Sequence, residues 1–387
     1  MGETSEVVIV GAGAAGCSVA YHLALAGVKA TIIEREGIGT QASGFSAGGL
    51  NPLEGAQIPG PLGPLAIESY RMHLKLWGEL KEDTGIDYQG RIISLVKVAF
   101  NESEIPELQE SLNLFAAAQE DGFSAHLLNR QEVLGLEPRL SPSAIGGLYA
   151  RGNAALDSYR YTQALAKAAE KRGAVIRSGN VRGLELTSGR VAGVFLDDEK
   201  LSCDWLVLAA GPWSREAETW LDISIPVDPL EGEILRLEMP GPALAHDFSG
   251  GGGSLHPKPD DLVWCGTTEE WRGFDKQTSE SARQSIMKGA ANLIPGLASA
   301  RLALQTACLR PVTPDWLPII GQAPGWDNVY LATGAGKKGI LLSPGMGKAV
   351  ADLMTQGNTP LSIGPCAPER FSLTANSRQL GGDGSDG

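Results

Sequence analysis

The sequence predicts an α/β fold: a Rossmann-like nucleotide-binding domain interleaved with an α+β substrate domain built on a largely antiparallel sheet. Two observations carry the prediction. Residues 7–35 read as a strand, a glycine-rich turn, a small-residue helix and a second strand, in that order. Further along, mixed helix and strand without any phosphate motif alternates with buried strands that end in small residues. The alternation predicts residues 1–84, 156–222 and 306–366 in the nucleotide-binding domain and 85–155 and 223–305 in the substrate domain. Residues 367–387 read as a polar, disordered tail.

The first unit is the most informative. Val7 to Val10 is an apolar β-branched run that suits a strand buried on both faces. Gly11, Gly13 and Gly16 follow at G-x-G-x-x-G spacing, and Ala14 to Ala26 reads as a helix. Gly11 makes the tight turn, Gly13 lets backbone approach a pyrophosphate, and Gly16 lets helix and strand pack closely. The unpaired N–H groups at Ala14 and Ala15 and the positive end of the helix suit phosphates. A second strand, Ala30 to Ile33, ends in Glu34 and Arg35, and Glu34 can accept hydrogen bonds from a ribose diol. The motif alone does not choose between NAD and FAD.

Composition narrows the function classes. The 387 residues suffice for about two domains. A net charge of −13 argues against nucleic acid as a partner. Fifty glycines suit an enzyme with many tight turns and close backbone–ligand approaches. Cys17, Cys203, Cys265, Cys308 and Cys366 are scattered without a C-x-x-C pair, so no disulfide framework or metal site is expected, and a reducing compartment fits. Met1 to Glu6 is too short and polar for a signal peptide, and no run of 18 apolar residues suggests a membrane span. The expectation is a cytoplasmic protein, and nothing decides against a homo-oligomer.

Glu36 to Pro52 lacks periodicity and is rich in small polar residues. It is either a surface loop or a loop laid along the cofactor, with Ser43, Gly44 and Ser46 near its phosphates or ring; its length favours the second. Leu65 to Lys81 is an amphipathic helix, Gly90 to Val98 a strand, and Ile105 to Gln119 a helix. Tyr159 to Arg172 is a helix closed by Gly173, and Val181 to Leu196 a hairpin turning at Ser188-Gly189. Cys203 to Ser214 is a buried strand whose Ala210-Gly211 ending lets the chain pass close to a flat ligand. Gly250 to Gly253 reads as a flexible loop over a site entrance, and Ser279 to Ile294 as a helix.

Three further stretches resemble one family. Cys308 to Gly321 (CLRPVTPDWLPIIG) resembles the LRPxTPDxxPIIG signature of FAD-dependent amine oxidoreductases of the D-amino-acid oxidase superfamily. Tyr330 to Pro344 is similar to that family's GHGRNGILLSP block, and Leu206 to Trp213 to its VVLAAGAW strand. The glycine oxidase and sarcosine oxidase branch is the most similar.

The resemblance implies FAD in extended form, its ring at the junction of the two domains. It implies Glu34 at the ribose, Val181 at the adenine, and Gly334 and Gly336 to Leu341 (with Lys337, Lys338, Gly339 and Ile340) along the flavin's pyrimidine edge. Arg310 is expected to grip the carboxylate of the substrate, for which a guanidinium fork is suited; otherwise it would merely pair with Asp315. Lys337 stands where the branch often has a second substrate-binding arginine, Lys338 replaces an asparagine, and a branch tyrosine gives way to Gly253-Ser254-Leu255-His256-Pro257. His256 either faces the site or decorates a strand. Cys308 lies seven positions before Asp315, matching the flavin-linked cysteine of monomeric sarcosine oxidase. Non-covalent FAD is expected, with a link through Cys308 as the alternative.

The implied reaction oxidises the Cα–N bond of a small amino acid or N-alkyl amino acid (glycine, sarcosine or D-amino acid). Hydride passes to flavin N5, an imine hydrolyses to a 2-oxo acid, and oxygen or an electron carrier takes the electrons. The alternatives are a 2-hydroxy acid dehydrogenase on the same scaffold and a non-catalytic FAD-binding interaction protein.

Overall fold

The computed structural model describes residues 4–197 and 199–372. Thr4–Val10, Ala14–Leu25 and Ala30–Glu34 form the expected strand, helix and strand. The two strands pair in parallel, Val7 opposite Ala30. Val7, Val8, Ile9 and Ile32 are fully buried, as a strand covered on both faces requires. Lys200–Leu208 adds on one side and Val175–Ser178 on the other, both parallel. Val329–Thr333 extends the sheet in parallel, followed by antiparallel Ile319–Gln322, while the hairpin Gly183–Thr187 and Arg190–Phe195 lies along the first half of Lys200–Leu208. The helix Ala14–Leu25 packs on the last helix, Gly339–Gln356. Small residues make this approach close: a Cβ on Gly347 would stand 2.5 Å from the Ser18 carbonyl carbon.

A second sheet of eight strands runs in the order Leu302–Val312, Asp228–Glu238, Leu262–Gly266, Gly253–Pro257, Asp247–Gly250, Leu95–Ala99, Gly146–Arg151, Ser124–Asn129. Its pairs are antiparallel except that between Asp247–Gly250 and Leu95–Ala99. The two sheets draw on alternating stretches of chain, so the interleaved α/β class holds. The Leu302–Val312 strand belongs wholly to the second sheet, and the boundary expected at 305/306 falls inside it.

Three local expectations need correction. The stretch 90–98 is two short strands, Arg91–Ile92 and Leu95–Ala99, which join different sheets. The four glycines at 250–253 are a tight hairpin turn between Asp247–Gly250 and Gly253–Pro257, not a loop over an opening. Their glycines answer different needs: a Cβ on Gly253 would stand 2.5 Å from the Gly289 carbonyl carbon in the Glu280–Leu293 helix, one on Gly250 would stand 2.2 Å from Val98 O, and Gly251 and Gly252 turn the chain at φ +57° and +80°. At the C-terminal end the chain stays ordered beyond 366, through the 3₁₀ turn Pro368–Phe371, where Arg370 pairs with Asp315 at 2.8 Å. The rest of the expected tail, 373–387, lies outside the described residues.

Candidate active site

The turn after the first strand opens a long cavity between the two sheets. Gly11 adopts φ +103°, and a Cβ there would stand 2.6 Å from Ala209 O. Gly13 caps the following helix without a side-chain hydrogen bond and no acid lies in its first turn, so the helix end presents its N–H groups and positive dipole to the cavity. Ser43 Oγ accepts from the Ala14 N–H at 3.0 Å. Glu34 holds the turn in shape: Oε2 accepts from Ala12 N–H and Oε1 from Glu36 N–H, both at 2.8 Å.

The cavity encloses about 390 Å³, within the roughly 300–1,000 Å³ usual for small-molecule sites. It runs from Glu34, Arg35 and Val181, past Gly11, Gly13, Ala14, Ala15, Ser43 and Ser46, to Ala210 and Gly211. Beyond these it meets Gly334, Gly336, Lys337, Gly339 and Ile340, and then Cys308 and Arg310. Arg35 lies over the Trp213 ring at 4.1 Å. A helix start met by one side chain, the Ser43 hydroxyl, an acid beyond the second strand and a wide end lined by glycines fit a dinucleotide carrying a flat ring system.

Arg310 reaches the wide end from the Leu302–Val312 strand. Its guanidinium lies over Gly232 on the neighbouring strand, where a Cβ would come within 1.9 Å of Nη1. Nη1 donates to Thr268 O at 3.1 Å and Glu231 O at 3.3 Å. Among the described residues no carboxylate pairs with it, and Asp315 is taken by Arg370. Lys337 is held differently, in an ion pair with Glu269 and 5.3 Å above the Trp316 ring.

Four expected site residues stand off the cavity wall. Gly16 lies behind the turn, where a Cβ would stand 2.0 Å from Gly11 O. Leu341 is 1% exposed within the core. The Lys338 ammonium turns away to donate to Asn51 O at 3.2 Å and to Glu54 O, and burial pushes it down to about 8. His256 bridges Asp247 and Ser254, each at 3.1 Å, on its strand. Residues that sequence reasoning left out complete the wide end: Ile234, Thr267 and Met346 line it, and Gly232 carries Arg310. Pairing of distant strands brings Gly232 and Ile234 to Arg310, the Gly339–Gln356 helix supplies Met346, and no local motif marks them.

Beneath Arg310, Glu231 is fully buried, and neither carboxylate oxygen has a hydrogen-bond partner among the described residues. Burial first and then the neighbouring Glu233 push it up to about 7. Burial likewise raises the Cys308 thiol, against the pull of Arg310.

The sequence model of the FAD dependent oxidoreductase (DAO) family matches residues 6–353. The chain belongs to that family. FAD is thus the dinucleotide for which the cavity is built, and the protein is an FAD-dependent oxidoreductase. A glycine oxidase of Geobacillus kaustophilus (strain HTA426) is 30% identical over 378 residues, 97% of this chain and 98% of that protein. One of Pseudomonas aeruginosa is 28% identical over 367 residues, covering 94% and 99%. The crystal structure of glycine oxidase from Geobacillus kaustophilus matches with a TM-score of 0.88 at 28% identity, covering 95% of this chain and 99% of that one. Among the described residues, no helix is long and apolar enough to cross a membrane, and no group of side chains could hold a metal ion.

Proposed function

We propose that this FAD-dependent enzyme oxidises the Cα–N bond of a small amino acid or N-alkyl amino acid, a glycine-, sarcosine- or D-amino-acid-like substrate. The observation that carries the reading is Arg310: a guanidinium at the wide end of the cavity, steadied by two neutral carbonyls, with its charge left for a ligand. Two parallel charge-assisted hydrogen bonds from the fork would fix the substrate carboxylate and with it the Cα–N bond. Bound FAD supplies a two-electron acceptor. The chain's residues bind and orient: Arg310 holds the carboxylate, while Ile234, Ile340 and Met346 exclude water from the reacting end. Cys308 keeps its proton because burial raises the thiol, which favours FAD held without a covalent bond. In this reading 1–84, 156–222 and most of 306–366 serve the cofactor and 85–155 and 223–305 the substrate, with Arg310, on the strand that crosses the 305/306 boundary, serving the substrate as well.

The test is anaerobic bleaching of the bound flavin by glycine, sarcosine, D-amino acids and, in parallel, 2-hydroxy acids. Amines should bleach it, and Arg310→Ala should lower kcat/KM by about 10²–10³-fold while the flavin stays bound. Bleaching by hydroxy acids alone, or by nothing offered, would overturn the reading.

A further inference from the structure

We propose that Glu269 sets the charge class of the substrate: by neutralising Lys337 it leaves Arg310 as the uncompensated cation, so the site prefers amines with one carboxylate to those with two. The inference rests on the amine-oxidation reading above and concerns a residue outside the cavity wall.

Arg310 and Lys337 both line the wide end of the cavity. Their partners are consecutive residues: Thr268 O receives Arg310, and the Glu269 carboxylate meets Lys337. Thr268 and Glu269 are neighbours in sequence, so one dipeptide holds both of these cations of the cavity wall. Only Lys337 is matched by a negative charge. A carboxylate arriving at Arg310 therefore gains an unmet cation, whereas one arriving at Lys337 must displace Glu269 and approach it as a like charge.

The dipeptide is held in place from both sides. Thr268 Oγ1 accepts from Glu233 N–H at 2.9 Å. Glu270 exchanges two backbone hydrogen bonds with Glu231, each 3.0 Å. Further along the same 267–279 connection, Phe274 stacks on Trp213 with ring centres 5.6 Å apart, and Lys276 lies 3.6 Å from Glu36 at the nucleotide end. These contacts fix the backbone of Glu269 beside Lys337. Its pair with Lys337 is about 40% exposed, so solvent screens it and the expected selectivity is several-fold, not absolute.

Sarcosine and iminodiacetate differ only by a carboxylate on the N-substituent and make the test. In anaerobic flavin reduction the wild type should favour sarcosine. Glu269→Gln should raise the iminodiacetate-to-sarcosine ratio of rate over dissociation constant by at least about threefold. Adding Lys337→Gln should cancel that gain. Acetate and malonate, followed through the bound-flavin spectrum, read the same selectivity without turnover. If no amine reduces the flavin, the amine-oxidation reading fails, and the malonate titration still judges Glu269. An unchanged ratio in Glu269→Gln by both readouts, or equal tightening of one- and two-carboxylate ligands, would overturn the inference.

Discussion

Two glutamates, one lining the nucleotide end of the cavity and one buried behind its substrate end, are treated in opposite ways. Glu34 stands just past the second strand and receives backbone N–H groups from Ala12, Glu36 and Gly37. Every donor lies within 22 residues of it. Glu231 stands in the second sheet under the Arg310 guanidinium, fully buried, with no donor among the described residues. The nucleotide end is thus a finished structure whose shape is set by local backbone, and a diphosphate can enter without rearrangement. The substrate end carries unmet charge, positive on Arg310 and latent on Glu231. A site that must attract and release a charged molecule cannot have every polar group satisfied in advance, and the cost appears as lowered stability.

The nucleotide end should fail hardest when its backbone geometry is disturbed. In Gly16→Ala the new methyl would stand 2.0 Å from Gly11 O, backbone against backbone with nothing able to yield. We expect a loss of about 3 kcal/mol or more and protein purified without flavin absorbance. Gly13→Ala, whose methyl would meet only the Ser43 hydroxyl at 3.3 Å within the protein, should keep close to wild-type stability and still lose FAD affinity, because Gly13 lines the cavity where the pyrophosphate approaches. Equal stability in the two variants would break the claim that turn geometry makes the cradle. At the other end, Gly232→Ala puts a methyl where the Arg310 guanidinium lies. It should keep FAD and lose about 10–10²-fold in kcat/KM, most of it in KM. A variant that lost flavin instead would mean that the two ends are not separable.

The same contrast decides what was legible in the sequence. The nucleotide end is written in 24 consecutive residues from Gly11 to Glu34, because a tight turn, a helix start and a strand end are local events. Arg310 was visible through the motif around it. Gly232 and Glu269 were not, since their roles exist only once the Asp228–Glu238 strand pairs with Leu302–Val312 and the 267–279 connection crosses above. The glycines at 250–253 misled for a related reason: a glycine records that space is needed but not who needs it, and the neighbours were Val98 at Gly250 and Gly289, on a helix, at Gly253. Lys338 was expected at the flavin because of its place in a motif, yet a four-carbon side chain can leave the wall that its backbone helps to form. It fills the hollow at Gly55, where a Cβ would stand 2.1 Å from its Cε.

The unmet carboxylate at 231 offers the finest measure of the difference between the ends. Its folded value of about 7 lies above the ordinary 4.5. Below about pH 4.5 the folded and unfolded chains both hold the proton, and the residue costs nothing. Between about 4.5 and 7 the unfolded chain releases its proton while the folded chain keeps it, so stability falls as pH rises. Above 7 the folded chain carries a buried, unpartnered charge and the cost is complete. Glu231→Gln removes this titration. Its unfolding free energy relative to wild type should therefore climb steadily from pH 4.5 to 7 and level off above, by an amount on the order of 3 kcal/mol. A pH-independent difference would mean that Glu231 ionises as freely in the fold as in water, and the contrast with Glu34 would then be one of hydrogen bonding alone. Bound substrate should deepen the same titration through Arg310, because a carboxylate on that guanidinium removes the positive charge that now opposes the rise in Glu231.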